Sequence, residues 1–260
     1  MIAERARVVV RRRGVLDVLD LAVRFVTHHA GPFARLSAWA ILPAASLCWA
    51  LGSQISWWLG WTAAITLGAF AEIPFLLHAS QAVFTDSVST RGIARQTAQH
   101  AGGVLGARLL GACAIAMGAT LLVLPGFWLA IAFFYVAEVR LLERLPVSAA
   151  IVRAQKIASA SFGEALAGWV FLLAFQAGAV LVFDLAGRSI VVDLLQFEAP
   201  EPLWESGGSL FAMAGFWAFV PFGATARFLL YLDARTRTEG WDVQTRFFAM
   251  AQRDLEEEAT

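Results

Sequence analysis

Glu72, Glu138, Arg140 and Arg227 are ionisable residues that stand inside long apolar runs of this sequence. A charge at that depth in hydrocarbon is costly unless it is paired, neutralised or wetted, so position alone makes these residues candidate functional groups. Glu72 stands two residues before Pro74. Proline removes a backbone donor and frees a carbonyl nearby, which fits a proton or cation site. The same pattern fits a hydrogen-bonded or protonated carboxyl at a kinked helix junction. Glu138 and Arg227 have the types and positions for an ion pair between two helices. Arg140, near the end of its apolar run, can reach toward the polar side. Gln176 is expected to bond across helices.

A second cluster follows the last apolar run. Tyr231, Asp233, Arg235, Arg237, Glu239, Gly240, Trp241 and Asp242 form a segment whose charges alternate in sign. In a helix Asp233 and Arg237 pair at i,i+4. Gly240 is placed to end that helix, with Trp241 at the interface. Two uses fit the segment: a docking surface for another protein or for lipid phosphates, or a membrane anchor with self-paired charges. Glu256, Glu257 and Glu258 read as a solvated tail.

No catalytic constellation accompanies these residues. The sequence has no Walker loop, no G-x-S-x-G elbow and no H-E-x-x-H. His28 and His29 are adjacent, so a helix points them about 100° apart, and no third ligand lies near for a metal. Cys48 and Cys113 both fall in apolar runs and read as small buried hydrophobes, without disulfide or metal spacing. No cofactor is expected, and nothing resembles a nucleic-acid module.

The elements that carry these residues are membrane helices. The 260-residue chain is 59% hydrophobic and 15% charged, against about 25% charged for a soluble domain. Spanning a bilayer takes about 20 apolar residues, and lipid admits only helices or closed barrels. Six runs qualify: 33–52, 57–82, 103–124, 127–143, 163–185 and 207–232. The chain therefore reads as one all-α membrane domain over 1–260. Residues 1–30 hold a cytoplasmic N-terminus and an interfacial helix, and 33–143 hold spans one to four. Residues 144–232 hold another interfacial helix and spans five and six, and 233–260 form a cytoplasmic tail.

Net charge is zero, but its distribution is polarised: Arg188 alone among the twenty basic residues falls in a connection of the opposite parity. Basic residues are retained on the cytoplasmic side, so both termini and the loops 84–102 and 144–161 face the cytosol. Leu51–Ile55, the expected turn Leu124-Pro125-Gly126 and the acidic segment 186–206 then face outward. Trp49, Trp57, Trp58, Trp61, Trp128 and Trp204 fit an outer aromatic belt. Arginine outnumbers lysine nineteen to one, Lys156 being the single lysine. That usage, with abundant alanine, fits a GC-rich bacterial genome and hence an inner membrane.

A repeat runs through this layout. Val15–His29 has Asp17, Asp20, Arg24 and His28 on one stripe, with Val15, Leu19, Ala22, Val23 and Val26 opposite, as in a helix lying in the interface. Arg91–His100 and Val147–Ser159 are similar segments before spans three and five. His29-Ala30-Gly31 and His100-Ala101-Gly102 end the first two, and Ala160-Ser161-Phe162-Gly163 ends the third. The pattern predicts three units of interfacial helix, hinge and helical hairpin in a pseudo-threefold arrangement. Gly102-x-x-x-Gly106 and Ala107-x-x-x-Gly111 predict close packing on span three, and Pro43 and Pro221 predict kinks.

Three stretches carry a family resemblance. The first is Arg13-Gly14-Val15-Leu16-Asp17 through Arg24-Phe25 to His29. The second is Leu124-Pro125-Gly126 with Glu143 and Ala149-Ala150-Ile151-Val152-Arg153. The third, and the most specific, is Leu230-Tyr231-Leu232-Asp233-Ala234-Arg235-Thr236-Arg237-Thr238-Glu239-Gly240-Trp241-Asp242. Together they resemble the glycerophosphoryl diester phosphodiesterase membrane domain family, a six-span bacterial module. Leu232, Thr238 and Ser161 depart from its usual Tyr, Lys and Gly. The family takes its name from fusions to a soluble barrel of roughly 250 residues. The resemblance therefore implies a stand-alone membrane module without hydrolase activity.

These readings favour a non-catalytic subunit that scaffolds or anchors a bacterial envelope complex, with membrane lipid and other protein subunits as partners. The alternative is a lipid-handling or small-solute transport protein using Glu72, Glu138 and Arg227. A polar cleft at those residues favours the alternative, and a dry packed centre favours the scaffold. A membrane enzyme acting on headgroups needs more convergent acid–base groups than the sequence offers.

Overall fold

The computed structural model describes residues 14–83, 88–121, 123–198 and 201–239. Regular structure among them is helical, with no strand. Six helices are long and apolar enough to cross a membrane: Ala30–Gln54, Trp57–Ala82, Thr90–Thr120, Leu124–Leu142, Phe162–Leu194 and Leu210–Thr238. The chain is thus a multi-pass membrane protein by helix length and composition.

α1 (Val15–His28) buries Val18, Leu19, Ala22 and Phe25 and packs on the last long helix. Its covered face is rotated from the expected one, and Val23 is exposed. Asp17, Asp20, Arg24 and His28 do lie outward, and Arg24 Nε meets Asp20 at 2.9 Å. The chain breaks at His29 and enters the first apolar rod: α2 (Ala30–Leu36), a widened π segment (Ser37–Ile41) and α3 (Leu42–Gln54). Pro43 accounts for the widening, because its ring clashes one turn back and it supplies no N–H. Ser56 starts α4 (Trp57–Ala82) by accepting a bond from the Trp58 amide at 3.3 Å.

α5 (Thr90–Leu121) overturns the second expected hinge. His100-Ala101-Gly102 lies within one continuous helix. A glycine inside a helix costs only about 1 kcal/mol relative to alanine, too little to open a break unaided. Of the three expected junctions, only His29 and Ser161 leave helical geometry. The turn expected at Leu124-Pro125-Gly126 is helical as well, inside α6 (Val123–Ala132). Proline is tolerated there because the first turn of a helix has no use for its missing donor. A further break, inside the same apolar run, comes at Phe133–Tyr135, before α7 (Val136–Leu142).

α8 (Val147–Ala160) leads through Ser161 into α9 (Phe162–Ser189), which continues as a π segment to Leu194. At about 1.5 Å per residue this 33-residue rod is roughly 50 Å long. A short α10 (Leu203–Ser206) precedes α11 (Leu210–Glu239). Gly207 turns the chain between them with φ +79°, a value that favours glycine. Its carbonyl accepts a bond from Trp61 Nε1 at 2.8 Å, tying the start of α4 to the entry of α11. α11 is the central helix, packed by α9, α4, α1 and α3.

The α5–α6 hairpin lies differently from expectation. α5 runs beside α4 from the Gln81–Gln96 bond (2.9 Å) to Arg108 at Ala69 and Glu72. Beyond Arg108 it crosses toward the early part of α9. Phe127 meets Trp169 edge to face at 5.3 Å, and Trp169 is only seven residues into α9. Trp128 shares a groove with Gln155, Lys156 and Ser159 of α8 and with Phe162. Trp128 therefore sits with α8 and the start of α9, apart from Trp57, Trp61 and Trp204. Close backbone contact holds the hairpin: a Cβ on Gly126 falls 2.6 Å from the Ala119 amide nitrogen, and one on Gly118 falls 3.0 Å from that of Gly126. Gly102 and Gly106, expected at the seam, have open space instead. Cys48 is buried as expected, whereas Cys113 is exposed.

Candidate functional site

Three of the four intramembrane residues converge. Arg227 on α11 donates from Nε and Nη2 to Glu138 Oε1 at 3.0 and 2.7 Å, and from Nη1 to Glu72 Oε2 at 2.9 Å. A fourth member is Arg108 on α5, which stands in the sequence among the small residues Gly103, Gly106, Ala107 and Gly111. Arg108 Nη2 bonds Glu72 Oε2, and its Nη1 donates to the Ala69 carbonyl at 3.0 Å. Pro74 lies one turn on, where its missing N–H leaves the adjacent Phe70 carbonyl without a helical donor. The signal for Arg108 was the one that selected Arg227, an arginine well inside an apolar run.

Each residue is brought in by a distinct element. α4 carries Glu72 and α11 carries Arg227 side by side. The break at Phe133–Tyr135 redirects the chain so that Glu138 enters in the first turn of α7. Arg140 does not join the cluster. Its guanidinium lies on Gly103 of α5, where a Cβ falls 2.5 Å from Nη2, and its Nε is buried without a partner among the described residues.

The cluster lies at the wall of a cavity of about 330 Å³ between α5–α7 and α9–α11. Glu72, Arg108 and Arg227 make its polar pole, Gln176 lies farther along α9 beside Phe216, and Phe133, Phe134, Trp169 and Phe219 line the apolar remainder. Gln176 donates to the Phe216 carbonyl at 3.3 Å, across to α11 as expected. The side chains of Arg108, Arg227 and Glu72 stay 16%, 17% and 22% exposed, while Glu138 is 1% exposed behind them. The mouth includes the exposed residues Ala112 and Leu173, on faces that also expose Leu109, Met117 and Val170. On helices that cross a membrane, such faces meet lipid.

The closing motif is engaged inside the chain. Tyr231 is fully buried, and its hydroxyl donates to Glu143 Oε1 at 2.7 Å. Arg153 Nε bonds Glu143 Oε2 at 3.2 Å, and Arg235 Nη1 lies 3.8 Å from Oε1. Glu143 and Arg153 from the central stretch thus meet Tyr231 and Arg235 from the closing one. Arg237 bonds Asp233 and Glu164, each at 2.7 Å, joining the end of α11 to the start of α9. Glu239 is the last residue of α11, and Gly240, Trp241 and Asp242 lie outside the described residues.

One further buried carboxylate went unremarked in the sequence. Asp184 on α9 is 1% exposed and accepts a bond from the Ser209 hydroxyl. Ser209 Oγ in turn accepts from the Ala212 amide at 2.9 Å, capping α11. That arrangement suits a helix start, where partial positive charge favours an anion. Among the described residues no group of three or more metal-ligating side chains gathers.

Neither family models, nor curated proteins, nor solved structures match this chain.

Proposed function

We propose that this protein handles lipid, taking the polar head of an amphiphile against Arg108, Arg227 and Glu72. The observation that carries this reading is the cavity itself. Its polar pole and aromatic walls match the two ends of an amphiphile, and its mouth lies on apolar, lipid-facing helices. A ligand pocket typically combines apolar lining with a few convergent polar groups. The scaffold reading loses ground because Tyr231, Asp233, Arg235 and Arg237 bond within the chain instead of forming an outward docking face.

The reading includes a setting. Both termini face the cytosol of a bacterial inner membrane, in keeping with the basic connections. α1 and α8 lie near the interface, and exposed Leu16 and Val152 are available to the bilayer. The protein is non-catalytic and belongs with the membrane domains named above, with Glu143, Arg153, Tyr231 and Arg235 as its internal lock.

Purification of the full chain in mild detergent, followed by native mass spectrometry and lipid extraction, tests the function. Retention of a stoichiometric lipid that Arg108→Ala releases is the expected result. A folded, lipid-free protein that instead holds a stoichiometric protein partner overturns it in favour of a scaffold.

A further inference from the structure

We infer that the headgroup taken by this cavity is a compact zwitterion carrying a phosphate and a primary ammonium, an inference that rests on the lipid-handling reading. The four charges at the pole, Arg108, Arg227, Glu72 and Glu138, sum to zero. A purely anionic head adds an uncompensated charge deep among apolar helices, and so does a purely cationic one. Burial of net charge is what such an environment resists. A zwitterion leaves the balance at zero.

Unused hydrogen-bonding capacity points the same way. A guanidinium has five N–H donors. Arg108 spends one on Ala69 and one on Glu72, so three remain for an acceptor such as a phosphate. Both arginines bond Glu72 through Oε2. Glu72 Oε1 has no partner among the described residues and, unlike Glu138 Oε2, is not buried. It is an accessible charged acceptor at a cavity wall, beside an arginine with donors to spare. A primary ammonium can donate to it. A quaternary ammonium has no N–H to donate and would rely on Phe133, Phe134, Trp169 and Phe219. Those walls also take the first carbons of acyl chains that run out past Ala112 and Leu173, so the headgroup is expected to arrive on a lipid and not as a free solute.

Titration of the delipidated full chain with dioleoyl phosphatidylethanolamine, phosphatidylcholine and phosphatidylglycerol, read by native mass spectrometry, tests this. Phosphatidylethanolamine is expected to bind about tenfold tighter than either competitor, a ratio typical of one unmatched polar group. Glu72→Gln leaves the pole with one net positive charge and is expected to transfer the preference to phosphatidylglycerol. Arg108→Gln leaves it net negative and is expected to weaken phosphatidylglycerol most. A wild-type preference for phosphatidylglycerol, parity with phosphatidylcholine, or an unchanged preference in both variants overturns the zwitterion while lipid handling stands. Binding of none of the three lipids overturns lipid handling itself. Free phosphoethanolamine is expected not to displace the lipid at equal concentration, and displacement there overturns the lipid as its source.

Discussion

Arg227 places two of its donors on a single oxygen of Glu138, at 3.0 and 2.7 Å, while the other oxygen of that carboxylate is buried without a partner among the described residues. The same guanidinium reaches Glu72 with its third nitrogen. One side chain therefore ties α11 to α7 and to α4 and sets the back wall of the cavity. Removing it leaves Glu138 without its arginine and Glu72 held by Arg108 alone. Breaking a buried pair by deleting one partner costs about 3–5 kcal/mol. Arg227→Ala is expected to lower the thermal midpoint in detergent strongly, and Arg227→Lys to recover little, because an ammonium cannot reproduce a fork aimed at two carboxylates. A midpoint unchanged in Arg227→Ala contradicts the wall as described.

Tyr231 and Glu143 are the second long-range tie, bonded at 2.7 Å across 88 residues of sequence. Tyr231→Phe keeps the buried ring and removes only the hydroxyl. The expected loss is about 1.5–3 kcal/mol, the worth of a hydrogen bond to a charged acceptor. Paired with Glu143→Gln in a double-mutant cycle, it is expected to give a coupling energy of about 0.5–3 kcal/mol. Additive effects would mean that the central and closing stretches do not act together.

The two ties also mark what sequence could and could not reveal. Glu138 and Arg227 were legible because a charge in an apolar run is conspicuous and each needs an opposite partner. Glu72 was legible as a polar residue, but not as one shared by two arginines, since nothing local says which distant helix lies beside it. Arg108 carried the same signal as Arg227 and was masked by the small residues around it. The helix content and the six apolar rods followed from hydropathy alone. The junctions did not: His29 and Ser161 break while His100-Ala101-Gly102 continues, because tertiary packing outweighs the modest local cost of glycine. The fate of the closing motif was undecidable locally, since Asp233 and Arg237 pair at i,i+4 in a docking surface and in an internal lock alike.

Glycines separate the packed face of α5 from its open one. A Cβ on Gly126 meets the Ala119 backbone at 2.6 Å, and one on Gly103 meets the Arg140 guanidinium at 2.5 Å, whereas Gly106 has nothing within 4 Å. Gly126→Ala is expected to destabilise by about 1–3 kcal/mol through overpacking against backbone that cannot yield. Gly106→Ala is expected to be neutral or stabilising by up to about 1 kcal/mol, because alanine favours the helix and has room. Thermal unfolding of the two variants side by side checks the ordering. A reversed order would place the seam on Gly102-x-x-x-Gly106 instead.

The course of the α5–α6 hairpin has a direct chemical test. Trp128 lines one groove with Ser159 and Lys156, and Phe127 touches Trp169. If the hairpin instead ran straight to the opposite face, residue 128 would sit with the turn beyond α3, far from α8. In a background with Cys48 and Cys113 replaced by alanine, Trp128→Cys combined with Ser159→Cys is expected to join under a short bifunctional thiol reagent in native membranes. Trp128→Cys combined with Ser53→Cys, which lies near the end of α3, is expected not to join. The opposite pattern would restore the straight six-span arrangement. It would also take Gly111, Ala112 and Ile115 off the cavity wall, because beyond Arg108 that wall exists only where the hairpin crosses the early part of α9.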